Sequence, residues 1–298
     1  VLEVPKGISA DLVIDNVVGI FSRIFESSWG PRLEDVLRSA CLTVLQQDGT
    51  PGAGTLVDIP KLLTEPGRHA RFMKTGSPEE LVGFWKWYDA MSEAQRAQVI
   101  GPLIYKLRAF LMRDFVRDIV KERESTVDLG KVLDGGILLV RVPKGILGED
   151  TARLLGSFVV AKTWQAAIAR ASQGAAERKD ASLYVDECQN FLNLPRSFDE
   201  ILAEARGYKL SLVLAHQHLG QLPRDLRDAV SANARNKVLF TMSPEDAFVL
   251  SRHTSPQLTD HDLANLDGYQ AAARLVIGGK DQAAFTLRTL APPPEPRR

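Results

Sequence analysis

Cysteine is scarce in this sequence, and long apolar runs and any excess of charge are missing. Its 298 residues include only Cys41 and Cys188, which argues against a disulfide scaffold and favours a reducing cytoplasm. No apolar run reaches the roughly 20 residues of a membrane-spanning helix. No signal peptide opens the chain. Thirty-seven basic residues balance thirty-seven acidic ones, so the overall charge gives no case for a nucleic-acid partner.

The pattern of apolar residues divides the chain into three regions. Residues 1–30 are mixed, with apolar residues at helical spacing after Ala10. From 31 to 125 apolar residues recur at intervals of three and four without a convincing strand, which predicts an all-helical insertion. From 126 to 298 short apolar runs alternate with helical patterns, which is typical of an α/β domain.

The third region predicts a parallel sheet flanked by helices. Its strand runs are apolar rather than alternating, as in strands that are covered on both faces. Expected strands in that sheet lie near 137–142, 183–186, 210–215 and 237–241, with additional strand material at Val127–Leu129. Expected helices run from Glu149 to Ser172, Phe198 to Ala205 and Asp225 to Asn233.

Local signals mark helix ends and a turn in this region. Ser197 and Glu200 are spaced as a capping box, and Gly207 lies where a left-handed residue ends a helix. Two strand-like segments near 272–277 and 283–290, joined by Gly278-Gly279-Lys280-Asp281, predict a C-terminal β-hairpin.

The strongest chemical signal is the run Ser182-Leu183-Tyr184-Val185-Asp186-Glu187. It predicts a short apolar strand that ends in two adjacent carboxylates. Ligands of open parallel sheets bind beyond the carboxyl ends of the strands, where two acids can meet a metal ion. In phosphate-loop ATPases the first such acid is associated with Mg²⁺ and the second polarises the attacking water. A solvated acidic turn is the alternative, since short apolar runs followed by Asp-Glu are common.

The residues that follow the acid pair carry a family resemblance. Cys188-Gln189-Asn190-Phe191-Leu192 leads to the helix, then Ala205-Arg206-Gly207-Tyr208, then a strand that ends in Ala215-His216-Gln217-His218. The run resembles the HerA–FtsK group of motor ATPases, especially the TraG/TraD-like coupling proteins of type IV secretion systems. The resemblance is dense from about 125 to 252 and looser before it, where Ser28-Trp29-Gly30-Pro31-Arg32 looks like a family element.

The resemblance implies a RecA-like fold, ATP and Mg²⁺ as ligands, and a role for each site residue. Asp186 would be the Mg²⁺-associated Walker B acid, Glu187 the catalytic base, and Gln217 the sensor of the γ-phosphate. Arg206 would be an arginine finger that acts in a neighbouring subunit's site. Capping of a helix C-terminus is the alternative for Arg206, and Arg235 is the second candidate finger.

A phosphate-binding loop of the form G-x-x-x-x-G-K-[ST] is missing from the sequence. Pro51-Gly52-Ala53-Gly54-Thr55 contains no lysine, and the spacing fails at Lys144-Gly145 and Lys280-Asp281. We therefore expect the C-terminal part of a hexameric, ATP-driven DNA or nucleoprotein translocase, cut off from its loop and inactive alone. Secretion-channel components would be further partners. The location would be cytoplasmic, at the inner face of the membrane if absent segments anchor it.

Two other functions remain open at this stage. The chain could be an assembly or docking module without its own phosphate loop, with the helical region as partner surface. It could also be an unrelated Mg²⁺-dependent phosphohydrolase, which would need more carboxylates at neighbouring strand ends than Asp186 and Glu187. Histidine pairs such as His216 and His218 are only a weak pattern for a metal site.

Overall fold

A computed structural model describes residues 1–5, 7–46, 54–195 and 198–291 of the chain. These residues form two compact units. Unit 1 comprises Val1–Arg196 with Glu204–Leu214, and unit 2 comprises Ser197–Ala203 with Ala215–Arg298. The predicted capping role of Ser197 falls outside the described residues.

The elements of the described chain alternate as an α/β protein does, after a long helical stretch. In chain order they are α1 Ala10–Ile24, α2 Pro31–Leu45, α3 Asp58–Thr64, α4 Glu79–Asp89, α5 Glu93–Leu111, α6 Asp114–Val120, α7 Leu129–Leu133, α8 Lys144–Leu147, α9 Glu149–Ala169, β1 Ala181–Val185, α10 Phe198–Ala205, β2 Leu210–Leu214, α11 Arg224–Asn233, β3 Lys237–Leu239, α12 Pro244–Leu250, α13 Asp260–Ala264, β4 Gln270–Arg274, β5 Val276–Ile277, β6 Lys280–Asp281 and β7 Phe285–Arg288.

Helices α1 to α9 build most of unit 1. As predicted, residues 31–46 and 54–122 contain helices and no strand. Three buried phenylalanines from α1, α5 and α9 meet in the core, and Phe158 lies 6.2 Å from Phe21 and 6.1 Å from Phe110 between ring centroids. The predicted long helix is confirmed as α9, which continues as a 3₁₀ turn through Arg170–Ser172. Residues of this helix contact the turn that carries the candidate site.

Strands β1 and β2 pair in parallel, as predicted, with Ala181 opposite Leu210 and Val185 opposite Leu214. Their two faces differ. The exposed face carries Ser182 and Ser211, whose hydroxyls are 2.7 Å apart, and the cross-strand pair Tyr184 and Val213. Tyr184 is 74% exposed. Because parallel sheets are normally covered on both faces, this face of unit 1 lacks its cover within the described chain.

Two strand predictions between 126 and 143 are wrong. Leu129 begins the short helix α7, because Asp128 caps it by accepting a hydrogen bond from the backbone N–H of Lys131 at 3.1 Å. Residues 136–143 form no strand among the described residues, and Ile137 and Leu139 are 89% and 91% exposed rather than buried. A strand needs a neighbour for its backbone hydrogen bonds, and this apolar run has none in the described chain.

Unit 2 is built around a separate antiparallel sheet in the order β3-β4-β7. The prediction that 237–241 joins the parallel sheet is therefore wrong, since β3 runs antiparallel to β4. The C-terminal hairpin is confirmed by the antiparallel pairing of β4 with β7. Its turn is shorter than predicted, because Lys280 and Asp281 form β6, which pairs with β5 across Gly278 and Gly279, both at positive φ. Glycine adopts that conformation without the strain of a side chain. Ala247, Leu263 and Ala272 form the buried centre of this unit.

The α/β fold class is confirmed by this mixture of helices, a small parallel pair and an antiparallel hairpin. Within the described residues, no helix is both long enough and apolar enough to cross a lipid bilayer.

Candidate functional site

The acid pair lies directly after β1, at the carboxyl end of the parallel pair in unit 1. Asp186 is exposed, and its Oδ1 accepts a hydrogen bond from the backbone N–H of Glu187 at 2.9 Å. Glu187 takes a left-handed conformation, with φ +48° and ψ +47°. Such a conformation in a residue with a side chain costs on the order of 1–3 kcal/mol and clusters at functional sites. The two carboxylates therefore stand on a strained turn beyond the strand, where a ligand of this sheet would bind.

Amide side chains from the following turn hold Glu187. Gln189 donates from Nε2 to Glu187 Oε2 at 2.6 Å, and Asn190 donates from Nδ2 to the Glu187 carbonyl at 3.0 Å. Asn193 Nδ2 in turn donates to the Asn190 carbonyl at 2.8 Å. The turn therefore positions both the backbone and the carboxylate of Glu187.

Side chains of helix α9 form hydrogen bonds with this turn and pack against it. Asn193 Nδ2 donates to Ser157 Oγ at 3.1 Å, and Arg153 Nη2 donates to Asn193 Oδ1 at 3.1 Å. Phe191 packs so closely on Gly156 that a Cβ added there would lie 2.2 Å from the phenyl ring. Glycine is required at this position because the turn and the helix touch through it.

We expect Gly156→Ala to lower the free energy of unfolding by about 1–3 kcal/mol, because the added methyl overlaps Phe191. Gly83→Ala is the matched control. Gly83 is also helical, and a Cβ there meets nothing within 4 Å. It should raise stability by about 0.5–1 kcal/mol through helix propensity. Chemical denaturation checks both variants, and equal stability of Gly156→Ala and the parent would show that the contact is looser than described.

Cys188 lies next to the acids but is an inert packing group. It is fully buried, and burial raises the pKa of its thiol to about 11. The thiol therefore stays protonated near neutral pH and is neither a nucleophile nor a metal ligand. Cys41 is buried in the same way, and its pKa is raised to about 12.

Arg206 lies in the same unit, at the other end of the parallel pair. It opens a 3₁₀ turn, Arg206–Tyr208, that precedes β2, whereas Asp186 and Glu187 follow β1. Because β1 and β2 are parallel, Arg206 lies at the amino ends of the two strands and the acid pair at their carboxyl ends. The strands are five residues long and rise roughly 3.3 Å per residue, which sets the separation. Arg206 is therefore too far away to act with the acid pair of its own chain.

Other arginines anchor the turn that carries Arg206. Arg178 donates to the Gly207 carbonyl at 2.5 Å, and the buried Arg170 donates to the Tyr208 carbonyl at 3.0 Å. The Tyr208 ring also packs edge-on against Trp164 of α9. The Arg206 side chain is exposed and makes no hydrogen bond or ion pair with the described residues. Capping of these carbonyls is thus performed by Arg170 and Arg178.

One local prediction about this turn is wrong. The left-handed residue is Lys209, at φ +53°, and Gly207 is not left-handed. Because the 3₁₀ turn Arg206–Tyr208 follows α10 directly, the left-handed residue that ends the helical segment comes two residues after Gly207.

The remaining predicted residues belong to unit 2. Gln217 is exposed and follows the end of β2 by three residues, in a turn where Gln221 Oε1 accepts from the backbone N–H groups of Gln217 and His218. Arg235, the second candidate finger, is engaged in an ion pair, with Nη2 at 3.1 Å from Asp281 Oδ1. Of the two arginine candidates, Arg206 is the one whose side chain makes no hydrogen bond or ion pair within the described part of the chain.

The donor set of the acid pair fits Mg²⁺ bound together with phosphate. Mg²⁺ is commonly held by one or two carboxylates, with phosphate and water oxygens completing its shell. Asp186 is exposed at the strand end and offers such a carboxylate. Among the described residues, there is no group of three or more His, Cys, Asp or Glu side chains that could hold a metal ion.

Sequence reasoning did not find the residues that support Glu187. Gln189, Asn190 and Asn193 stand in the run that carried the resemblance, but their amide donors became informative only once the turn was known. Arg153 carried no sequence signal, because it lies 33 residues before Asp186 on a different element.

Comparison with known proteins agrees with the resemblance. Residues 180–260 match the family model described as the TraM recognition site of TraD and TraG. No protein among the curated sequences matches the chain significantly. The match confirms a TraG/TraD-like segment around the acid pair, the Arg206 turn and Gln217.

Solved structures of a coupling protein share the fold. The plasmid coupling protein TrwB in complex with a non-hydrolysable GTP analogue matches with a TM-score of 0.60 at 14% identity, over 91% of this chain and 67% of that one. An unbound form of the bacterial conjugative coupling protein TrwB lacking its first 70 residues matches with 0.59 at 14% identity, over 96% and 68%. TrwB with ADP and Mg²⁺ matches with 0.59 at 14% identity, over 91% and 67%.

Proposed function

We propose, from the premise that this chain is TraG/TraD-like, that it is the C-terminal part of an ATP-driven conjugative coupling protein. The observation that carries the proposal is the acid pair: Asp186 and Glu187 stand on a strained, anchored turn at the carboxyl end of a parallel strand. TrwB has been solved with nucleotide analogues and with ADP and Mg²⁺, which supports nucleotide as the ligand here. The longer protein that would contain the phosphate loop is called the intact protein below.

Four residues of this chain would each have a separate role in ATP hydrolysis. Asp186 would hold Mg²⁺, which neutralises charge on the phosphates. Glu187 orients the attacking water and takes up its proton. Gln217, which follows β2 by three residues along the chain, would be the sensor of the γ-phosphate, as the resemblance implies. Arg206, at the far edge of β1 and β2, stabilises charge on the phosphoryl group in a neighbour's site, which requires an oligomer such as a hexamer.

Domains and partners follow from the same proposal. Residues 1–30 and 126–298 would belong to a RecA-like core, since α1 packs against α9, and 31–125 would be a helical insertion. The matched family model names TraM recognition, which supports relaxosome proteins and DNA or a nucleoprotein as partners, with secretion-channel components beyond them. The intact protein would act at the inner face of the membrane through segments absent from this chain.

Exposed apolar side chains support a larger core. Tyr184 on β1 and the unpaired residues Ile137 and Leu139 are solvent-exposed in unit 1. We infer that further chain of the intact protein pairs with 136–143 and covers the sheet face that carries Tyr184 and Val213.

The isolated chain 1–298 should hydrolyse ATP negligibly, because no phosphate loop is present to bind the triphosphate. The intact protein should hydrolyse it with Mg²⁺, at a rate that depends on Glu187. Steady-state phosphate release from both proteins is the measurement. Robust Mg²⁺-dependent turnover by the isolated chain, abolished by Glu187→Gln, would show that the phosphates bind elsewhere than proposed.

A docking module without ATPase activity is the second candidate. Exposed apolar residues of α5, of α6 and of the turn between them, namely Tyr105, Phe115 and Met112, favour it as a partner surface. The gene sequence upstream of the codon for Val1 distinguishes the two proposed functions. A G-x-x-x-x-G-K-[ST] sequence there supports the ATPase, and its absence supports the module.

A further inference from the structure

The side-chain amide of Gln189 contacts the carboxylate that the proposed function makes the catalytic base. Gln189 Nε2 donates to Glu187 Oε2 at 2.6 Å, which is short for a hydrogen bond and fits one made to a charged acceptor. The other end of the same amide is different: Gln189 Oε1 is buried and accepts no hydrogen bond from the described residues. One amide therefore makes a strong contact to Glu187 and leaves its own oxygen without a partner.

The carboxylate of Glu187 determines which end of the Gln189 amide faces it. If the amide were turned over, Gln189 Oε1 would face Glu187 Oε2 at the same short distance, and two acceptors would repel. A buried acceptor without a partner also costs stability. A residue selected only for packing would avoid that cost, since an apolar side chain of similar size would fill the same space.

The hydrogen bonds to the backbone of Glu187 do not by themselves fix the orientation of its carboxylate. The backbone of Glu187 is held by Asn190, whose Nδ2 and backbone N–H both donate to the Glu187 carbonyl, at 3.0 and 2.9 Å. The side chain still has rotatable bonds beyond that fixed backbone. Gln189 is anchored on the same turn and reaches the carboxylate itself.

We infer that Gln189 is a positioning residue that holds the Glu187 carboxylate in the orientation needed to activate water. The inference rests on the proposed function. A general base must lie within hydrogen-bond reach of the proton that it takes, so a carboxylate free to rotate would spend time turned away from the water. Gln189 contacts neither nucleotide nor water in this role and acts only through Glu187.

Gln189→Met in the intact protein tests the inference, because it removes the amide at similar side-chain volume. We expect kcat for ATP hydrolysis to fall roughly 10- to 100-fold, as for a misplaced catalytic group, with KM changed by less than about twofold. The thermal midpoint should stay equal or rise, because the unpaired acceptor is removed with the amide. Gln189→Glu keeps the shape of the side chain and should lose at least as much activity, since two adjacent carboxylates repel.

The same substitution on a Glu187→Gln background separates positioning from a structural role. A residue that acts through the carboxylate should add less than about a twofold loss once that carboxylate is gone. Gln257→Met is the matched control, because Gln257 is an exposed glutamine of unit 2, and its activity should equal that of the parent.

Several results would overturn the inference. These are an unchanged or raised kcat in Gln189→Met, a rise in KM alone, or an equal loss with and without the Glu187 carboxylate. These results are distinguishable from failure of the proposed function. Normal hydrolysis by Glu187→Gln would contradict the proposed function and, with it, the inference about Gln189. A clear loss in Glu187→Gln with normal kcat in Gln189→Met would remove the inference alone.

Discussion

Arg206→Ala in the intact protein should lower kcat for ATP hydrolysis by roughly 10³-fold or more and leave nucleotide binding nearly unchanged, which is the scale of a lost arginine finger. Arg206 is exposed, its guanidinium makes no hydrogen bond or ion pair with the described residues, and it lies at the opposite end of β1 and β2 from Asp186. The acid pair of its own chain is therefore out of its reach, and the proposed finger acts in a neighbour's site. Single-turnover hydrolysis and nucleotide titration measure the two quantities separately.

Two comparisons make the Arg206 experiment decisive. Arg235→Ala tests the second candidate finger. Because Arg235 is paired with Asp281, we expect loss of this exposed pair to cost about 0–1 kcal/mol of stability with little change in turnover, whereas a large loss of turnover would make Arg235 the finger instead. A capping role for Arg206 instead predicts a stability loss of about 1 kcal/mol or less and nearly normal hydrolysis. Near-normal turnover by Arg206→Ala would eliminate the finger.

Glu187→Gln should lower kcat by about 10²- to 10⁴-fold, the usual contribution of a general base, without weakening nucleotide binding. The substitution preserves shape, and Gln189 Nε2 can still donate to the remaining carbonyl oxygen. The strained turn should therefore persist, and thermal unfolding should confirm it. Hydrolysis at the parent rate would show that another group activates the water.

Mixed oligomers link the two predictions. An Arg206→Ala subunit keeps an intact acid pair, and a Glu187→Gln subunit keeps its arginine. Hexamers mixed from these inactive variants should therefore regain activity at interfaces where an intact arginine faces an intact glutamate. Absence of rescue despite verified co-assembly would count against action across an interface.

The site could be predicted from sequence only where its residues are neighbours along the chain. Asp186 and Glu187 follow a short apolar run, so their place at the end of β1 was readable from local pattern. The support of Glu187 was not readable in this way. It depends on the left-handed turn, which aims Gln189 at the carboxylate, and on the packing of Phe191 against Gly156.

Strand partners were the least predictable feature of the fold. Residues 137–142 and 237–241 carry similar apolar runs. The first forms no strand among the described residues, and only 237–239 of the second pair with β4, in antiparallel direction. An apolar run favours an extended conformation, but the hydrogen bonds that make it a strand come from a neighbour elsewhere in the chain. The direction of pairing therefore cannot be read from the run itself.

By itself the sequence determined the helical character of residues 31–46 and 54–122, the long helix α9, the parallel strands β1 and β2, the hairpin and the acid pair. These features depend on periodicity, turn residues and adjacency, all of which are local. Only the tertiary structure decided that Arg170 and Arg178 cap the turn after α10 and leave Arg206 exposed. It alone also placed Arg206 and the acid pair at opposite edges of the strands, because that separation follows from the parallel pairing of β1 with β2.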